Sequence, residues 1–500
     1  NLSEIRVTYT GLISLTGGII SVFTGLVFAL IITRTVTPEE YGTWGLILAL
    51  ITYVTLIGPI VSFWSTRDTA RNIKSGKTAI LSSLVISTGA ISVYLVISYF
   101  MSYYTGVEQN SLLFAAILVP TIFINGVLTA MNLGWKPHTI TYGTLAYGLS
   151  SIPLALFFIY YLNFGVTGII ISVFLANIVS IIILFYHAKE KVRNQFNKQT
   201  LKKWIRFSWI PLYPGIAILV AGLDISIFTI ITGSVIGLAF WTAAMILPGI
   251  ISHTALISRA VYPKLLEEKS KKFLSENLTL LFYFGIVLVS LVITFAKPGL
   301  YALNPIYEIA FPIAIIMSFE VFLSVLTNVF LLNLAGVEKV DKYENSTFKD
   351  YIKSKLFFPQ TIRLIQTCIY ITILTVGLAI LVGFESSNLD LLLFWASIAL
   401  ITQIPLVCLL YYYVQKNMIL KVEIARIIKF ALVAMVIFGF TYYLTEQFLV
   451  YSDNIFSLIP NIIMFALLSI GLYFIITYLI DKKIRNLVNA VIYEIKTRVS

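Results

Sequence analysis

Apolar segments of about 20 residues or longer recur along the whole chain, separated by short polar connections. This is the length that an α-helix needs to cross the hydrocarbon core of a bilayer. The segments are continuous rather than alternating, which excludes the strands of an outer-membrane barrel. With 59% hydrophobic and 12% charged residues among 500, the chain has too few polar groups for a water-soluble protein. The pattern predicts an all-α polytopic membrane protein of the cell membrane.

The apolar segments predict fourteen transmembrane helices. Their approximate ranges are 8–33, 42–65, 79–104, 112–131, 139–162, 166–187, 210–232, 236–258, 278–296, 309–335, 360–383, 390–413, 427–448 and 456–480. Of the 35 Lys and Arg residues, 32 then fall on the side of the two termini, Arg34 and Lys297 fall on the other side, and Arg363 lies inside a helix. The positive-inside rule therefore places both termini in the cytoplasm. The basic surface favours anionic membrane lipids as partners, without any need for nucleic acid.

A faint internal repeat divides the chain. After the first and the seventh helix, a tight turn leads to a glycine, Gly42 or Gly237, and then to an aromatic residue and a new apolar helix. Such duplication is common in transporters. The predicted domains are a six-helix bundle (1–187), a basic amphipathic linker (188–207), a second six-helix bundle (208–415) with a cytoplasmic insert (336–359), and two extra helices with a basic tail (416–500).

Three ionisable residues are predicted at membrane depth. Asp224 lies near the middle of the apolar segment 207–238, and Glu320 lies within the tenth helix, with Asn328 two turns later. Intramembrane carboxylates usually serve an ion or substrate pathway, although a structural hydrogen bond to a neighbouring helix is the alternative. His253 is a candidate proton relay or a packing residue. We therefore predict a coupling-ion or substrate role for Asp224, Glu320 and His253.

Basic residues at the membrane surface suggest anion binding. Arg67 and Arg259 occupy matching inner ends of the second and eighth helices, where guanidinium groups suit a pyrophosphate, although the positive-inside rule also explains them. Asn125, on a proline-containing helix, and Asn328 are further headgroup candidates. Arg34 and Lys297 are exit-side candidates for an anionic product, or they snorkel to lipid phosphates.

The sequence carries no recognisable enzyme motif. It has no HExxH, no dinucleotide fingerprint, no serine elbow and no CxxC, and the segment IKSGKT lacks the first glycine of a phosphate loop. Neither a metal nor another cofactor is expected. The chain is predicted to be a transporter rather than an enzyme.

Two motifs and the helix plan resemble a known family. Residues 35–50 (TVTPEEYGTWGLILAL) are similar to the first hairpin, and 223–248 (LDISIFTIITGSVIGLAFWTAAMILP) to the Asp-containing seventh helix, of polysaccharide and lipid-linked oligosaccharide flippases. These belong to the multidrug/oligosaccharidyl-lipid/polysaccharide exporter superfamily. Ile225 stands where that family usually has a basic residue after the Asp. The insert 336–359 resembles archaeal versions.

The resemblance implies an alternating-access flippase for polyprenyl-phosphate-linked glycans, with H⁺ or Na⁺ as possible coupling ions. One alternative is a drug or small-molecule exporter of the same superfamily, driven by Na⁺ or H⁺. An integral-membrane glycosyltransferase or polymerase is another alternative, but the short outer loops leave little room for a catalytic site.

Overall fold

A computed structural model describes residues 2–255, 272–336, 354–355, 357–418, 422–486 and 488–489. Every regular element in these ranges is helical, and this confirms the predicted all-α fold. Most of the predicted insert 336–359 and the end of the basic tail lie outside the described residues.

The helices follow one another with short connections. In chain order they are α1 (Leu2–Thr35), α2 (Pro38–Thr55), α3 (Pro59–Ala70), α4 (Gly76–Thr105), α5 (Gln109–Phe114), α6 (Leu118–Trp135), α7 (His138–Ala155), α8 (Gly165–Val192), α9 (Lys198–Arg206), α10 (Trp209–Thr232), α11 (Ile236–Gly249), α12 (Lys272–Leu303), α13 (Phe311–Gly336), α14 (Phe358–Gly383), α15 (Asn388–Met418), α16 (Ile424–Phe448) and α17 (Ile455–Ile480).

The helices confirm a multi-pass membrane protein. Within the described residues, twelve helical segments are long and apolar enough to cross a bilayer, and the bent pair α2–α3 makes a thirteenth. Helix α1 covers the first predicted span. The predicted sidedness, with both termini in the cytoplasm, stays a prediction.

The second predicted span is broken rather than continuous. Helices α2 and α3 meet at 62° across residues 56–58. Pro59, the first residue of α3, has no amide hydrogen to offer to the Thr55 carbonyl, which accepts instead from the Gly58 amide at 2.9 Å. A proline at the first position of a helix is well tolerated, so the chain starts a new helix here in a new direction.

Contacts divide the chain into two compact units, Asn1–Ala243 with Gln360–Ile398, and Ala244–Pro359 with Ala399–Ser500. The first unit takes up α10 and most of α14, which the sequence prediction had assigned to a second six-helix bundle. The predicted division into two six-helix bundles with two extra helices stays a prediction.

In the first unit, hydrogen-bonding side chains join α6 to α8. The amide of Asn125 donates to Asn177 at 3.3 Å and to Ser180 at 3.2 Å, and Asn132 donates to the Leu184 carbonyl at 3.0 Å. Away from water such paired groups hold helices together, because an unpaired amide there is costly.

The second unit is built on an aromatic cluster shared by α12, α16 and α17. Tyr283, Phe430 and Tyr473 are nearly or fully buried, and the Tyr283 hydroxyl lies 2.8 Å from Thr477 Oγ1. At one end of α16 and α17, Arg426 forms an ion pair of 2.7 Å with Asp481.

Candidate functional site

The candidate site is built around Asp224, which lies in α10 two turns before the helix ends at Thr232. Its side chain is half-buried, in a helix of apolar residues. One carboxylate oxygen accepts from the Ile225 amide at 2.7 Å, and the other accepts from the Tyr370 hydroxyl at 2.8 Å. Within the described part of the chain, the hydrogen-bond partners of Asp224 are therefore neutral, and the carboxylate has no cation as a partner.

Tyr370 is itself held by a second donor. The Trp395 indole Nε1–H donates to the Tyr370 hydroxyl oxygen at 2.7 Å. Tyr370 comes from α14 and Trp395 from α15, so three helices supply a row of hydrogen bonds that runs from Trp395 through Tyr370 to Asp224. The row orients the Tyr370 hydroxyl hydrogen toward the carboxylate.

An aromatic stack fixes the end of this row. Trp395, which is completely buried, stacks on Trp241 with ring centroids 3.8 Å apart and on Phe228 with centroids 5.1 Å apart. Phe228 lies one turn after Asp224 on α10. The stack thus packs α10, which carries Asp224, directly against Trp395.

Helix α10 is also fastened to α2. The Tyr53 hydroxyl donates to the Gly222 carbonyl and lies 2.9 Å from Ser226 Oγ. These two partners lie two residues before and two residues after Asp224 in α10. Near the turn between α1 and α2, a side chain at Gly42 would collide with the carbonyl of Val235, which lies in the turn between α10 and α11. The two hairpin motifs recognised in the sequence are therefore in direct contact within one unit.

A cavity of about 410 Å³ lies beside that contact, on the outer side according to the predicted topology. Three carboxylates line it, those of Glu39, Glu40 and Glu108. Glu40 accepts from the Thr37 amide at 2.8 Å, and Glu108 from the Ser111 hydroxyl at 2.9 Å. No Lys, Arg or His is among the described residues of the lining, so the cavity is acidic.

The other candidates of the first unit lie on other helices than Asp224. The Arg67 guanidinium carbon lies 4.2 Å from the Phe63 ring centroid on α3. Asn125 is hydrogen-bonded in the α6–α8 contact, and Arg34 lies in the last turn of α1. Their predicted binding roles stay predictions.

The candidates of the second unit are spread over different elements. His253 is exposed in a 3₁₀ turn after α11, with its Nδ1 3.3 Å from the Ile250 carbonyl, while Glu320 and Asn328 lie on α13. Lys297 lies 3.8 Å from both Glu308 and Glu446. Arg259 lies outside the described residues. These roles also stay predictions.

Sequence reasoning singled out Asp224 but missed Tyr370 and Trp395. Both are aromatic residues in apolar helices, where packing against neighbours is the ordinary expectation. The one available signal was that a buried tyrosine or tryptophan usually finds a hydrogen-bond partner. It does not say which partner.

No protein-family model matches the sequence, and no curated protein is similar to it at a significant level. Solved structures do match. A multidrug resistance MATE family transporter of the MOP superfamily in an inward-facing conformation has a TM-score of 0.56 and 13% identity, covering 81% of this chain and 98% of that one. Such a transporter in an outward-facing conformation has a TM-score of 0.54 and 15% identity, covering 83% of this chain and 95% of that one.

A third structure is a MOP superfamily transporter from Pyrococcus furiosus, whose reversed binding-pocket polarity was taken to suggest a different function. It has a TM-score of 0.53 and 14% identity and covers 82% of this chain and 95% of that one. At these identities the likeness shows the fold, and the chain therefore has the fold of MOP superfamily transporters.

Proposed function

We propose that the protein is an alternating-access exporter of small, positively charged organic molecules, driven by H⁺ or Na⁺, with Asp224 as the site of the coupling ion. The hydrogen-bonded row from Trp395 to Asp224 is the observation that carries this proposal. The fold supports it, because the multidrug transporters that share the fold include both inward-facing and outward-facing structures. Among the two transport readings of the sequence, these likenesses favour the exporter.

The chemistry of the row suits a site that is reversibly occupied by a cation. Asp224 receives two neutral hydrogen bonds and keeps its negative charge unpaired by any described Lys or Arg. The two hydrogen bonds stabilise the charged carboxylate, whereas its apolar surroundings disfavour an uncompensated charge, so the group is suited to binding and releasing a proton or Na⁺. Binding there drives reorientation only if the ion's affinity differs between the two conformations.

The acidic outer cavity favours a cationic cargo. The carboxylates of Glu39, Glu40 and Glu108 give its walls negative charge, which attracts cations and repels a pyrophosphate. The absence of basic residues from its described lining points the same way.

The second candidate is the flippase of polyprenyl-linked glycans. Its support is the resemblance of residues 35–50 and 223–248 to motifs of such flippases, and these two segments are in contact at Gly42 and Val235. The Pyrococcus furiosus transporter, in which pocket polarity was read as a sign of a different function, is a reason to keep this candidate.

The two candidates are separated by transport in proteoliposomes. Purified protein is given either a fluorescent organic cation or a labelled polyprenyl-phosphate oligosaccharide, with and without an imposed H⁺ or Na⁺ gradient. We expect gradient-driven movement of the cation, and we expect Asp224→Asn to abolish its dependence on the gradient. Asp390→Asn, an exposed capping residue of α15 in the same unit, is the matched control and should transport normally.

Each remaining outcome rejects part of the proposal. Movement of the glycolipid without movement of the cation assigns the protein to the flippase class. Cation transport that keeps its full gradient dependence in Asp224→Asn removes the carboxylate from the coupling mechanism.

A further inference from the structure

Helix α9 is a short basic helix held at both of its ends by the first unit. It lies between α8, which ends at Val192, and α10, which begins at Trp209. The side chain of Asn197 caps it, accepting from the Gln199 amide at 2.9 Å, and the Asn197 amide donates to Thr78 Oγ1 on α4 at 2.8 Å. The start of α9 is therefore fixed to the first turn of the transmembrane helix α4.

Trp204 fixes the rotation of α9 about its own axis. It is 1% exposed and packs in a cluster with Val61 and Met131. Its indole Nε1–H also donates to Asp68 Oδ2, at 3.2 Å, on α3. Rolling the helix would expose the indole and leave a buried carboxylate without its donor, and both changes are costly.

The face opposite Trp204 is basic. Lys198, Lys202 and Arg206 are four residues apart, so they form one stripe along the helix, and all three are exposed. The stripe is about 12 Å long at 1.5 Å per residue. Beside it, Ile205 is 58% exposed, and Phe196, just before the helix, is 44% exposed.

We propose that the stripe of Lys198, Lys202 and Arg206 is a docking site for the headgroups of anionic phospholipids in the cytoplasmic leaflet. Both neighbouring helices cross the membrane, so α9 lies at the membrane surface. The positive stripe complements lipid phosphates, and the exposed Ile205 and Phe196 suit the boundary between headgroups and acyl chains. This binding does not depend on the cargo or on the coupling ion.

Bound lipid would act on the broken span. Trp204 holds Asp68, and Asp68 belongs to α3, the piece of the span beyond the bend at residues 56–58. Lipid on one face of α9 therefore stabilises the arrangement in which its other face holds α3.

The test measures lipid selectivity directly, without transport. The full-length protein is reconstituted in phosphatidylcholine with a trace of spin-labelled phosphatidylglycerol or spin-labelled phosphatidylcholine, and the motionally restricted fraction of each is read by electron spin resonance. The wild type should prefer phosphatidylglycerol. Each basic residue near an anionic surface contributes roughly fivefold to binding, so the loss of even one such contact lowers the preference about fivefold, and K198Q/K202Q/R206Q should lower it by at least that much.

A matched variant separates this site from total charge. K136Q/K416Q/K482Q also removes three exposed lysines that the predicted topology places in the cytoplasm, none of them in α9, and it should keep the wild-type preference. Trp204→Phe keeps all the charges but loses the donor to Asp68, and it should lower the preference partly because the stripe is no longer held outward. An equal loss in both triple variants, or no preference in the wild type, would overturn the proposal. Circular dichroism and gel filtration confirm that each variant is folded before it is compared.

Discussion

The indole rings of Trp241 and Trp395 stack with their centroids 3.8 Å apart and their planes 5° from parallel. This packing fixes the ring of Trp395, whose only polar atom donates to Tyr370 at 2.7 Å. Trp395 thus helps to position a transmembrane carboxylate through the hydroxyl of Tyr370. The consequences can be tested step by step along the row.

Tyr370→Phe removes the hydroxyl that donates to Asp224 and leaves the ring in place. This hydrogen bond stabilises the ionised carboxylate, so without it Asp224 releases its cation less readily, and we expect gradient-dependent transport to fall about tenfold. Stopped-flow assays of cation efflux against external Na⁺ or pH would measure this. Tyr213→Phe, another α10-to-α14 hydroxyl contact at 2.5 Å to Thr361, is the control and should retain most of the coupling.

Trp395→Phe keeps an aromatic ring in the stack but deletes the Nε1–H donor. Because the lost bond joins two neutral groups, we expect a smaller loss of coupling, about fivefold or less. In the double variant with Tyr370→Phe, the loss should equal that of Tyr370→Phe alone, since both changes act through one hydroxyl. Additive losses would show that Trp395 acts by another route.

Asp481 makes the stability of the second unit pH-dependent. Its burial raises the pKa of its carboxyl, but hydrogen bonds from Arg426 and from the Ile484 and Lys483 amides outweigh that effect and lower the pKa to about 2. Since the folded-state pKa is below the unfolded value, the stabilisation is complete above about pH 5 and is lost as the pH falls toward 2. At pH 7 it is worth about 2 kcal/mol.

Thermal unfolding in detergent tests this. Asp481→Asn should lower the melting temperature at pH 7, and the difference from wild type should shrink by about half at pH 3. Asp390→Asn provides a carboxylate that is exposed, and its effect should be small at both pH values. A constant difference for Asp481→Asn would contradict the assignment.

Gly42 is required for the contact between the two hairpins. A methyl group there would overlap the Val235 carbonyl, which is backbone and cannot swing aside. Gly42→Ala should therefore lower stability by about 1–3 kcal/mol. Gly89→Ala, in the interior of α4 with nothing within 4 Å, should be neutral or stabilising by up to about 1 kcal/mol.

The sequence was a good guide to local features and a poor guide to distant partners. Length and hydropathy suffice for the helices, and a lone carboxylate in an apolar segment marks Asp224. Its partners Tyr370 and Trp395 lie more than 140 residues away and carry no periodic signal, so only tertiary packing reveals them. The amphipathic linker was likewise predicted, whereas the burial of Trp204 against Asp68 was not.

Helix geometry was less predictable than helix position. Residues 42–65 look like one continuous span because hydropathy indicates which residues lie in the hydrocarbon core and not the direction of the helix axis. Pro59 lies within this segment, but prolines are common in spanning helices, so the 62° bend could not be predicted from the residue alone.

The bend at residues 56–58 separates two pieces of one membrane crossing, and each piece is attached to a different helix. The piece before it is tied to α10 by the Tyr53 hydroxyl, and the piece after it is tied to α9 by Asp68. Between them lie three residues, of which Gly58 has few torsional restrictions. The backbone torsions of residues 56–58 can therefore absorb a movement of either piece, so that a change at α9 and a change beside Asp224 need not occur in the same step.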